Sequence, residues 1–375
     1  MSSPVSPEVR ALLALHLVPG LGPRLTAALL ERFGSAVAVL QARAEELRQV
    51  AYLGEKLAGD IAQALEQADV NGELEQMARH TVEVRVLGTP DYPAALATIS
   101  TPPHLLYVRG TLRTEDGKAV AVVGSRNCTP YGKRIADRLG GDLVRAGYTV
   151  ISGLARGIDS CAHRGALQAG GRTLAVMAGG LSRIYPPEHK GLADQVAASG
   201  ALLSEAAMRM DPMAGMFPAR NRIISGMSQA VVLVEAAEKS GALITASHAA
   251  DQGRPVLAVP GPVDGDASSG TNALIRQGAI LCRGVEDILE ELEGVSPRTE
   301  RQAAAAAPPA TPATPPPGLD ADQRRVWEFL AEQPRHLDEM VQRLGLSVPQ
   351  LSGMLLTMEM KKVVRRLPGN RYERC

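Results

Sequence analysis

Residue types that usually form ring-stacking, metal or disulfide sites are scarce in this sequence. Aromatic residues make up 3% of the 375 residues, so a binding surface built mainly from stacked rings is not expected. The cysteines Cys128, Cys161, Cys282 and Cys375 lie far apart and form no CxxC pair, which argues against a metal site or a disulfide framework. We therefore expect no metal or other cofactor, and a reducing compartment such as the cytoplasm.

Net charge and long apolar runs are also absent. Forty basic and forty acidic side chains give a formal net charge of +0, so any attraction to a polyanion must be local. No run of about 18 apolar residues occurs, and the N-terminus lacks a basic segment followed by an apolar core. These features predict a soluble, intracellular protein without a membrane partner.

Two common nucleotide-binding motifs are missing. The turn after the first buried-strand pattern reads Gly124-Ser-Arg-Asn-Cys-Thr-Pro-Tyr-Gly132 and lacks GxGxxG. No acidic residue closes the next strand pattern to bind a ribose, and no Walker loop occurs. NAD binding and ATP hydrolysis are therefore not expected.

The sequence does contain a regular alternation of apolar runs and helical patterns between residues 119 and 293. The apolar runs are 120–123, 149–151, 173–177, 201–203, 230–234, 255–259 and 279–281, and helical patterns include 158–169, 219–227, 242–252 and 285–292. Such alternation predicts an α/β fold, an extended Rossmann-like, doubly wound parallel sheet. The ligand site of such a sheet gathers at the carboxyl ends of the strands.

Composition divides the chain into four regions. Residues 1–80 form an N-terminal helical domain with a Pro-Gly-Leu-Gly turn at 19–22, which is typical of a helix-hairpin-helix. Residues 81–295 are the Rossmann-like domain, beginning with a small extension that carries β-like runs at 82–87 and 105–108. Residues 296–318 are a Pro/Ala-rich linker, and 319–375 have the helix, helix, helix, hairpin pattern of a winged-helix domain.

Two of these regions have more than one interpretation. The turn at 19–22 either approaches a phosphate with its amides, with Arg24 as the cation of the turn, or only reverses a helical hairpin. In the C-terminal region the second helix of the pair has almost no cations, whereas Lys361, Lys362, Arg365 and Arg366 cluster beside the wing. Either the wing contacts a DNA backbone nonspecifically, or this domain docks on a protein.

Five short segments at predicted strand ends share small residues and a helix start. They are Gly124-Ser125-Arg126; Ser152-Gly153 with Arg156; Gly179-Gly180 with Tyr185; Phe217 with Arg220, Asn221 and Arg222; and Ser240-Gly241 with Thr245. Parallel strands would bring all five to one rim of amides, hydroxyls and guanidinium groups, which suits a phosphodiester. The alternative is that these glycines and serines only make tight turns. On the first interpretation Arg126 and Arg220 bind phosphates, and bases enter shallow pockets beside Phe217 or Tyr185.

Asp159 and His163 lie four residues apart on one predicted helix. They could perform acid–base chemistry, but an aspartate at a helix start is more often a cap or dipole partner, and a histidine one turn later is more often structural. No second carboxylate motif supports catalysis, so no catalytic residue is assigned.

Taken together, the motifs resemble the DNA-processing protein A family (DprA, also called Smf). The segments that carry the resemblance occur in family order at 91–93, 106–110, 123–126, 152–159, 217–222, 240–245 and 258–261. The resemblance implies an extended Rossmann core, a sterile-alpha-motif-like helical domain and, in some members, a winged-helix end. The family's DNA pocket corresponds most directly to Gly124, Ser125, Arg126, Arg220 and Asn221. The turn at 178–182, Ala-Gly-Gly-Leu-Ser, departs from the three glycines and acidic residue that members often have.

The same resemblance implies the activity. Members bind incoming single-stranded DNA, protect it and load the RecA recombinase during natural transformation, with no catalysed reaction, and they are usually dimers through the Rossmann domain. The alternative is a nucleotide-processing enzyme of the phosphoribohydrolase type on a related Rossmann core. Such enzymes carry a Pro-Gly-Gly-x-Gly-Thr-x-x-Glu pattern, which the segment 235–245 lacks.

Overall fold

The computed structural model of the chain describes residues 5–50, 53, 55–294, 316, 319–330, 335–361, 363–367 and 371–374. The chain divides into two compact units, Met1–Glu300 and Arg301–Cys375. Most of the predicted linker at 296–318 lies outside the described residues. Within the described part of the chain, no helix is both long and apolar enough to cross a bilayer.

The first unit begins with a group of helices. They are α1 (Pro7–Leu17), α2 (Pro23–Phe33), α3 (Ala36–Gln41), α4 (Ala44–Leu47), α5 (Glu55–Glu66) and α6 (Val70–Arg79). The Ser6 hydroxyl caps α1 by accepting from the Val9 amide. Gly20, with φ of +83°, adopts the left-handed backbone that the sharp turn between α1 and α2 requires. The predicted helical hairpin is therefore present.

Strands and helices then alternate. The strands are β1 (Val82–Val86), β2 (Leu105–Gly110), β3 (Ala119–Val123), β4 (Thr149–Ser152), β5 (Thr173–Met177), β6 (Ala201–Ser204), β7 (Ala230–Leu233), β8 (Val256–Ala258) and β9 (Ile280–Leu281). The helices between them are α7 (Ala94–Ala97), α8 (Pro130–Arg145), α9 (Ile158–Gln168), α10 (Lys190–Ser199), α11 (Met216–Gly226), α12 (Ala242–Asp251), α13 (Asp266–Arg276) and α14 (Val285–Glu293).

The strands among the described residues of this unit join one sheet, in the order β1-β2-β6-β5-β4-β3-β7-β8-β9. Neighbours from β6 to β9 in this order are parallel, which confirms the doubly wound parallel sheet. The predicted extension is part of the same sheet, because β2 pairs antiparallel with β6 and β1 pairs antiparallel with β2. From β3 the chain runs outward to β6 on one side and from β7 to β9 on the other. The carboxyl ends of β3 and β7 therefore border the topological switch point, where such sheets bind ligands.

Alternate residues of the central strands face opposite helical layers, as expected from the two-residue period of a strand. Val120 and Val122 of β3 pack in a core with residues of α8, α9 and α14, whereas Ala121 and Val123 pack in the core that contains residues of α7, α11 and α12. The N-terminal helices share a third core with β2, β5, β6 and α10. Burial on both faces explains why these strands read as continuous apolar runs.

The second unit contains α15 (Ala321–Phe329), β10 (Arg335–His336), α16 (Leu337–Leu344), α17 (Val348–Met360), β11 (Val364–Leu367) and β12 (Arg371–Arg374). Its strands form a sheet in the order β10-β12-β11, and Trp327, Leu351 and Leu355 belong to its own core. This is the predicted winged helix-turn-helix. The predicted hairpin turn at 368–370 lies outside the described residues.

Candidate functional site

The loop after β3 runs close to the neighbouring strand ends. A Cβ atom on Gly124 would lie 2.7 Å from Ile158 Cγ1 and 2.8 Å from the Glu235 carbonyl oxygen, so only glycine fits without a shift. The Ser125 amide donates to that carbonyl at 2.7 Å, and the Ser125 hydroxyl accepts from the Asn127 amide at 3.1 Å. The loop is thereby fixed in place, and Arg126 at its tip is exposed.

Glu235, which follows β7, supports the start of α8. Its carboxylate accepts from the Thr129 amide at 2.8 Å and from the Thr129 hydroxyl at 2.5 Å, and the Thr129 hydroxyl in turn accepts from the Gly132 amide at 3.2 Å. The side chain is buried. Sequence reasoning did not assign Glu235 to the site. The sequence did contain a signal for this role, because an acidic residue directly follows the apolar run at 230–234. A carboxylate that is buried at a strand end needs hydrogen-bond donors, and a neighbouring loop of the rim can supply them.

The loop after β4 is held in an unusual conformation. Leu154 has φ of +56° and Gly157 has φ of +76°. Asp159, buried at the start of α9, accepts from the Gly153 amide at 3.1 Å and from the Ala155 amide at 3.3 Å. Left-handed backbone at a non-glycine residue is costly and is retained where surrounding contacts hold it, often at functional sites.

Ser152 does not have the position expected of a ligand-binding hydroxyl. It is completely buried, and its hydroxyl donates to the Val122 carbonyl at 2.6 Å. A hydroxyl that is already committed to a neighbouring strand inside the sheet cannot reach a strand of DNA. The assignment of Ser152 as a direct contact is therefore corrected to a supporting role between β3 and β4.

The guanidinium group of Arg220 is not free to bind a phosphate in the way that the sequence predicted. The side chain is buried, and Nη1 donates to the carbonyl oxygens of Gly153, at 2.9 Å, and Val176. A Cβ atom on Gly153 would lie 2.6 Å from Arg220 Nη2 and 2.7 Å from Asp159 Oδ2, so the guanidinium and the carboxylate both lie against this glycine. Arg220 thus connects the loop after β4 to strand β5.

Burial changes the proton affinity of both charged groups at this position. Burial, together with the positive charge of Arg126, lowers the pKa of Arg220 to about 10, against the opposing effect of Asp159. Burial also raises the pKa of Asp159, although Arg220 and the amide donors act in the other direction. Arg220 remains cationic at neutral pH, so it adds positive potential to the site from below the surface.

Arg126 and Phe217 form the exposed centre of the site. The guanidinium carbon of Arg126 lies 4.6 Å from the centroid of the Phe217 ring, which is a cation–π arrangement. The Tyr185 ring meets the Phe217 ring edge-on, with centroids 5.9 Å apart and an interplanar angle of 61°. Among the described residues, no carboxylate forms an ion pair with Arg126. Its charge is therefore available to an anion.

The other two arginines of the rim are paired with acids. Arg156 Nε donates to Glu188 Oε1, and the pairing lowers the pKa of Glu188. Arg222 Nη2 donates to Glu205 at 2.7 Å. Both pairs would have to open or be shared before either arginine neutralised a phosphate, so neither offers an uncompensated charge.

The segment after β7 completes the rim. The Asn221 side-chain amide donates to the Gly241 carbonyl at 3.2 Å, and the Ser240 hydroxyl accepts from the Ala242 amide at 3.3 Å. Gly241 is exposed, whereas Thr245 is buried beneath it in α12. Asn221 therefore connects α11 to the start of α12.

Two adjoining cavities occupy this rim. The first, here called the switch-point groove, is lined by Gly124, Ser125, Arg126, Asn221, Ser240, Gly241 and Thr245. The second, here called the ring pocket, is lined by Gly153, Arg156, Gly179, Tyr185 and Pro186. Arg126, Phe217 and Arg220 line both. All five predicted corners thus contribute lining residues to one or both of these adjacent cavities, and Arg126 and Arg220 lie on the same side of the first unit.

The predicted secondary contacts belong to other elements of the chain. Arg24 is exposed in the first turn of α2. Lys361 follows α17, Arg366 lies in β11, Arg365 Nε donates to Glu373 at 2.8 Å, and Lys362 lies outside the described residues. The outer face of α17 is apolar at Val348, Leu356 and Met360, which are all exposed. That face is unlike the basic or amide-bearing face that reads bases in the major groove.

Family models match three parts of the chain. The model described as "DNA recombination-mediator protein A" matches residues 83–293, which contain the switch-point groove and the ring pocket. A "DprA winged helix domain" model matches residues 308–370, and a "SAM-like Helix-hairpin-helix tandem" model matches residues 10–67. The matches agree with the order of folded regions in the structure.

Individual relatives cover most of the chain. A Synechocystis sp. protein named Smf is 34% identical over 388 residues, which cover 96% of this chain and 98% of that protein. The crystal structure of DNA processing protein A from Streptococcus pneumoniae is similar with a TM-score of 0.68 at 30% identity, over 77% of this chain and 99% of the other. A structure from Helicobacter pylori, which concerns the single-stranded DNA binding mode of its DNA processing protein A, is similar with a TM-score of 0.51 at 29% identity, over 56% of this chain and 96% of the other.

Proposed function

Because the chain belongs to the DNA recombination-mediator protein A family, we propose that it binds single-stranded DNA in the switch-point groove and the ring pocket. In this proposal it acts in the cytoplasm as a homodimer, protects incoming DNA and loads the RecA recombinase during natural transformation, without catalysing a reaction. The observation that carries the proposal is the exposed Arg126 guanidinium over the Phe217 ring, at the boundary of the two cavities.

The two cavities differ in the chemistry that they offer. The switch-point groove presents hydroxyls, amides and the Arg126 charge, which suit the sugar-phosphate backbone. The ring pocket presents Phe217, Tyr185 and Pro186, which suit the face of a base. A strand that lies with its phosphates in the groove and turns one base into the pocket would satisfy both.

This arrangement favours a single strand over a duplex. A base can enter the ring pocket only after it leaves its partner and its stack, and in a duplex this step costs a few kcal/mol. In a single strand the bases are already free to turn. The net charge of +0 leaves no general attraction for duplex phosphates, so the local site determines the preference.

Competition between single-stranded and duplex oligonucleotides of equal length, measured over a range of salt concentrations, tests this function. We expect the single strand to displace the duplex, with an affinity that falls as salt rises. Equal affinity for both forms, or no salt dependence, would contradict the proposal.

The nonenzymatic part of the proposal needs its own experiment. A phosphoribohydrolase would release free base from nucleoside monophosphates. We expect no free base after incubation of the full chain with each nucleoside monophosphate, analysed by chromatography. Release of base that disappears in an Arg126→Ala variant would favour the enzymatic alternative.

A further inference from the structure

A third cavity lies beside the ring pocket, between the helical-hairpin turn and the loop that joins β6 to α11. The turn contributes Gly20, Gly22 and Pro23, and the opposite wall contains Met177, Met210 and Met216. We call this cavity the methionine cleft. It lies within the first unit, so its two walls belong to one compact body.

The methionine cleft adjoins the ring pocket of the proposed DNA site. Met177, Ala178 and Arg220 line both the cleft and the ring pocket. Arg220 also lines the switch-point groove. The cleft is therefore the neighbouring cavity that a strand would reach if it extended from the ring pocket past these residues.

The walls of the cleft suit a flat ring with a polar edge. Methionine side chains are adaptable and polarizable, and their sulfur atoms make favourable contacts with aromatic rings. Met210 is 41% exposed at the cleft, so its side chain is accessible to a ligand there. The cleft therefore offers an apolar surface that a nucleobase would bury.

A polar group is also present in the cleft wall. His104 lines the cleft, and its Nδ1 atom is buried without a hydrogen-bond partner among the described residues. Burial lowers the pKa of His104, so the ring is neutral at neutral pH. A neutral imidazole nitrogen can donate to or accept from the edge of a base. Buried polar atoms without a partner are uncommon in folded proteins.

We propose that the methionine cleft receives a second nucleobase of the same single strand whose neighbouring base occupies the ring pocket. This inference rests on the proposed function and extends it toward the N-terminal helices. The exposed Arg24, directly after cleft-lining Pro23, is then placed to neutralise a phosphate of the segment that leaves the cleft.

Methionine methyl signals test the inference in the full chain. The twelve methionines can be labelled with carbon-13 at the methyl group and assigned with single Met→Leu variants. We expect saturation with single-stranded oligothymidylate to shift the Met210 and Met216 signals through the ring current of a base. Met213 is the internal control, because it is on the same loop and 62% exposed but does not line the cleft.

An abasic strand of equal length distinguishes a base from the backbone. At saturation it should leave the Met210 and Met216 signals at their ligand-free positions. If oligothymidylate binds and these two signals do not move, the cleft is empty and this inference fails, while the proposed single-strand function stands. If no single strand binds at all, the proposed function fails and this inference fails with it.

A filled cleft provides a second readout. Ala219 is an exposed residue of α11 that lines the cleft, so Ala219→Trp should occupy the space of the second base. We expect about tenfold weaker binding of oligothymidylate, within the range for one stacked base, with an unchanged salt dependence. Ala250→Trp, at an exposed position of α12 that borders a different cavity, should bind as the parent does. Equal binding by both variants would overturn the inference.

Discussion

The Arg126 guanidinium carbon lies 4.6 Å from the centroid of the Phe217 ring, although Arg126 is in the loop after β3 and Phe217 is in the first turn of α11. The ring holds the cation at the boundary between the switch-point groove and the ring pocket. A phosphate bound by Arg126 would therefore have its base within reach of Phe217. Charge and ring can be removed separately, and the two changes have different consequences.

Arg126→Ala should weaken single-strand binding about tenfold and reduce the steepness of its salt dependence. One lost phosphate contact lowers the slope of log affinity against log salt by about 0.7 for a single strand. Fluorescence anisotropy at several salt concentrations measures both quantities. Arg145→Ala is the matched control, because Arg145 lies at the far end of the 16-residue helix α8 and pairs with Asp142. An unchanged slope in Arg126→Ala would remove this residue from the site.

Phe217→Ala should weaken binding through lost stacking. The expected loss is about 1–3 kcal/mol of binding free energy, with the salt slope of the parent protein largely retained. Phe217→Leu keeps apolar volume without an aromatic face, so its affinity for the single strand should lie between those of the parent protein and Phe217→Ala. The same titrations measure this, and a Phe217→Leu variant that binds as well as the parent would show that no base stacks on this ring.

Gly153→Ala should destabilise the fold. The added Cβ atom would lie 2.6 Å from Arg220 Nη2 and 2.7 Å from Asp159 Oδ2, so the buried arginine or its loop must move. We expect the free energy of unfolding to fall by about 1–3 kcal/mol, as for other overpacked interior sites. Chemical denaturation measures it. Gly191→Ala is the control, since nothing lies within 4 Å of its added Cβ, and equal stability of both variants would contradict the contact at Gly153.

The free energy of unfolding should fall as the pH drops below about 6.5, the pKa of an unperturbed histidine. Burial, together with the neighbouring charges of His189, Arg220 and Arg164, lowers the pKa of His163 to about 3. The unfolded chain, with a histidine pKa of about 6.5, therefore binds a proton that the folded chain excludes. Protonation of His163 in the unfolded chain therefore does not reduce the free energy of unfolding above about pH 6.5. It reduces this free energy progressively as the pH falls from about 6.5 toward the pKa of the folded state.

A variant isolates this histidine from other titrating groups. His163→Asn keeps a partner for the Thr173 hydroxyl, which lies 2.7 Å from His163 Nδ1. Between about pH 5 and 6, its unfolding free energy should change less steeply than that of the parent, by up to about 1.4 kcal/mol per pH unit. Denaturant midpoints at several pH values measure the difference. Parallel pH profiles for the parent and His163→Asn would contradict a buried, neutral His163.

Much of the fold followed from local sequence patterns. The apolar runs at 120–123 and 173–177 correspond closely to β3 and β5, because strands buried on both faces have continuous apolar sequences. The end of each run also located the rim, since parallel strands place their carboxyl ends at one edge. The antiparallel edge formed by β1 and β2 was less apparent, because strand pairing depends on distant partners.

The sequence by itself determined the doubly wound sheet, the helical hairpin, the winged helix and the glycine- and arginine-bearing corners. Only the tertiary structure decided what each corner residue does. Arg126 follows the end of β3 and Arg220 lies in the first turns of α11, and both belong to predicted corners, yet Arg126 is exposed, whereas the guanidinium of Arg220 is buried against the carbonyls of Gly153 and Val176. The first of these carbonyls belongs to the loop after β4 and the second to strand β5. The physical reason is that burial and hydrogen bonding depend on which distant segments meet, and local sequence does not specify those partners.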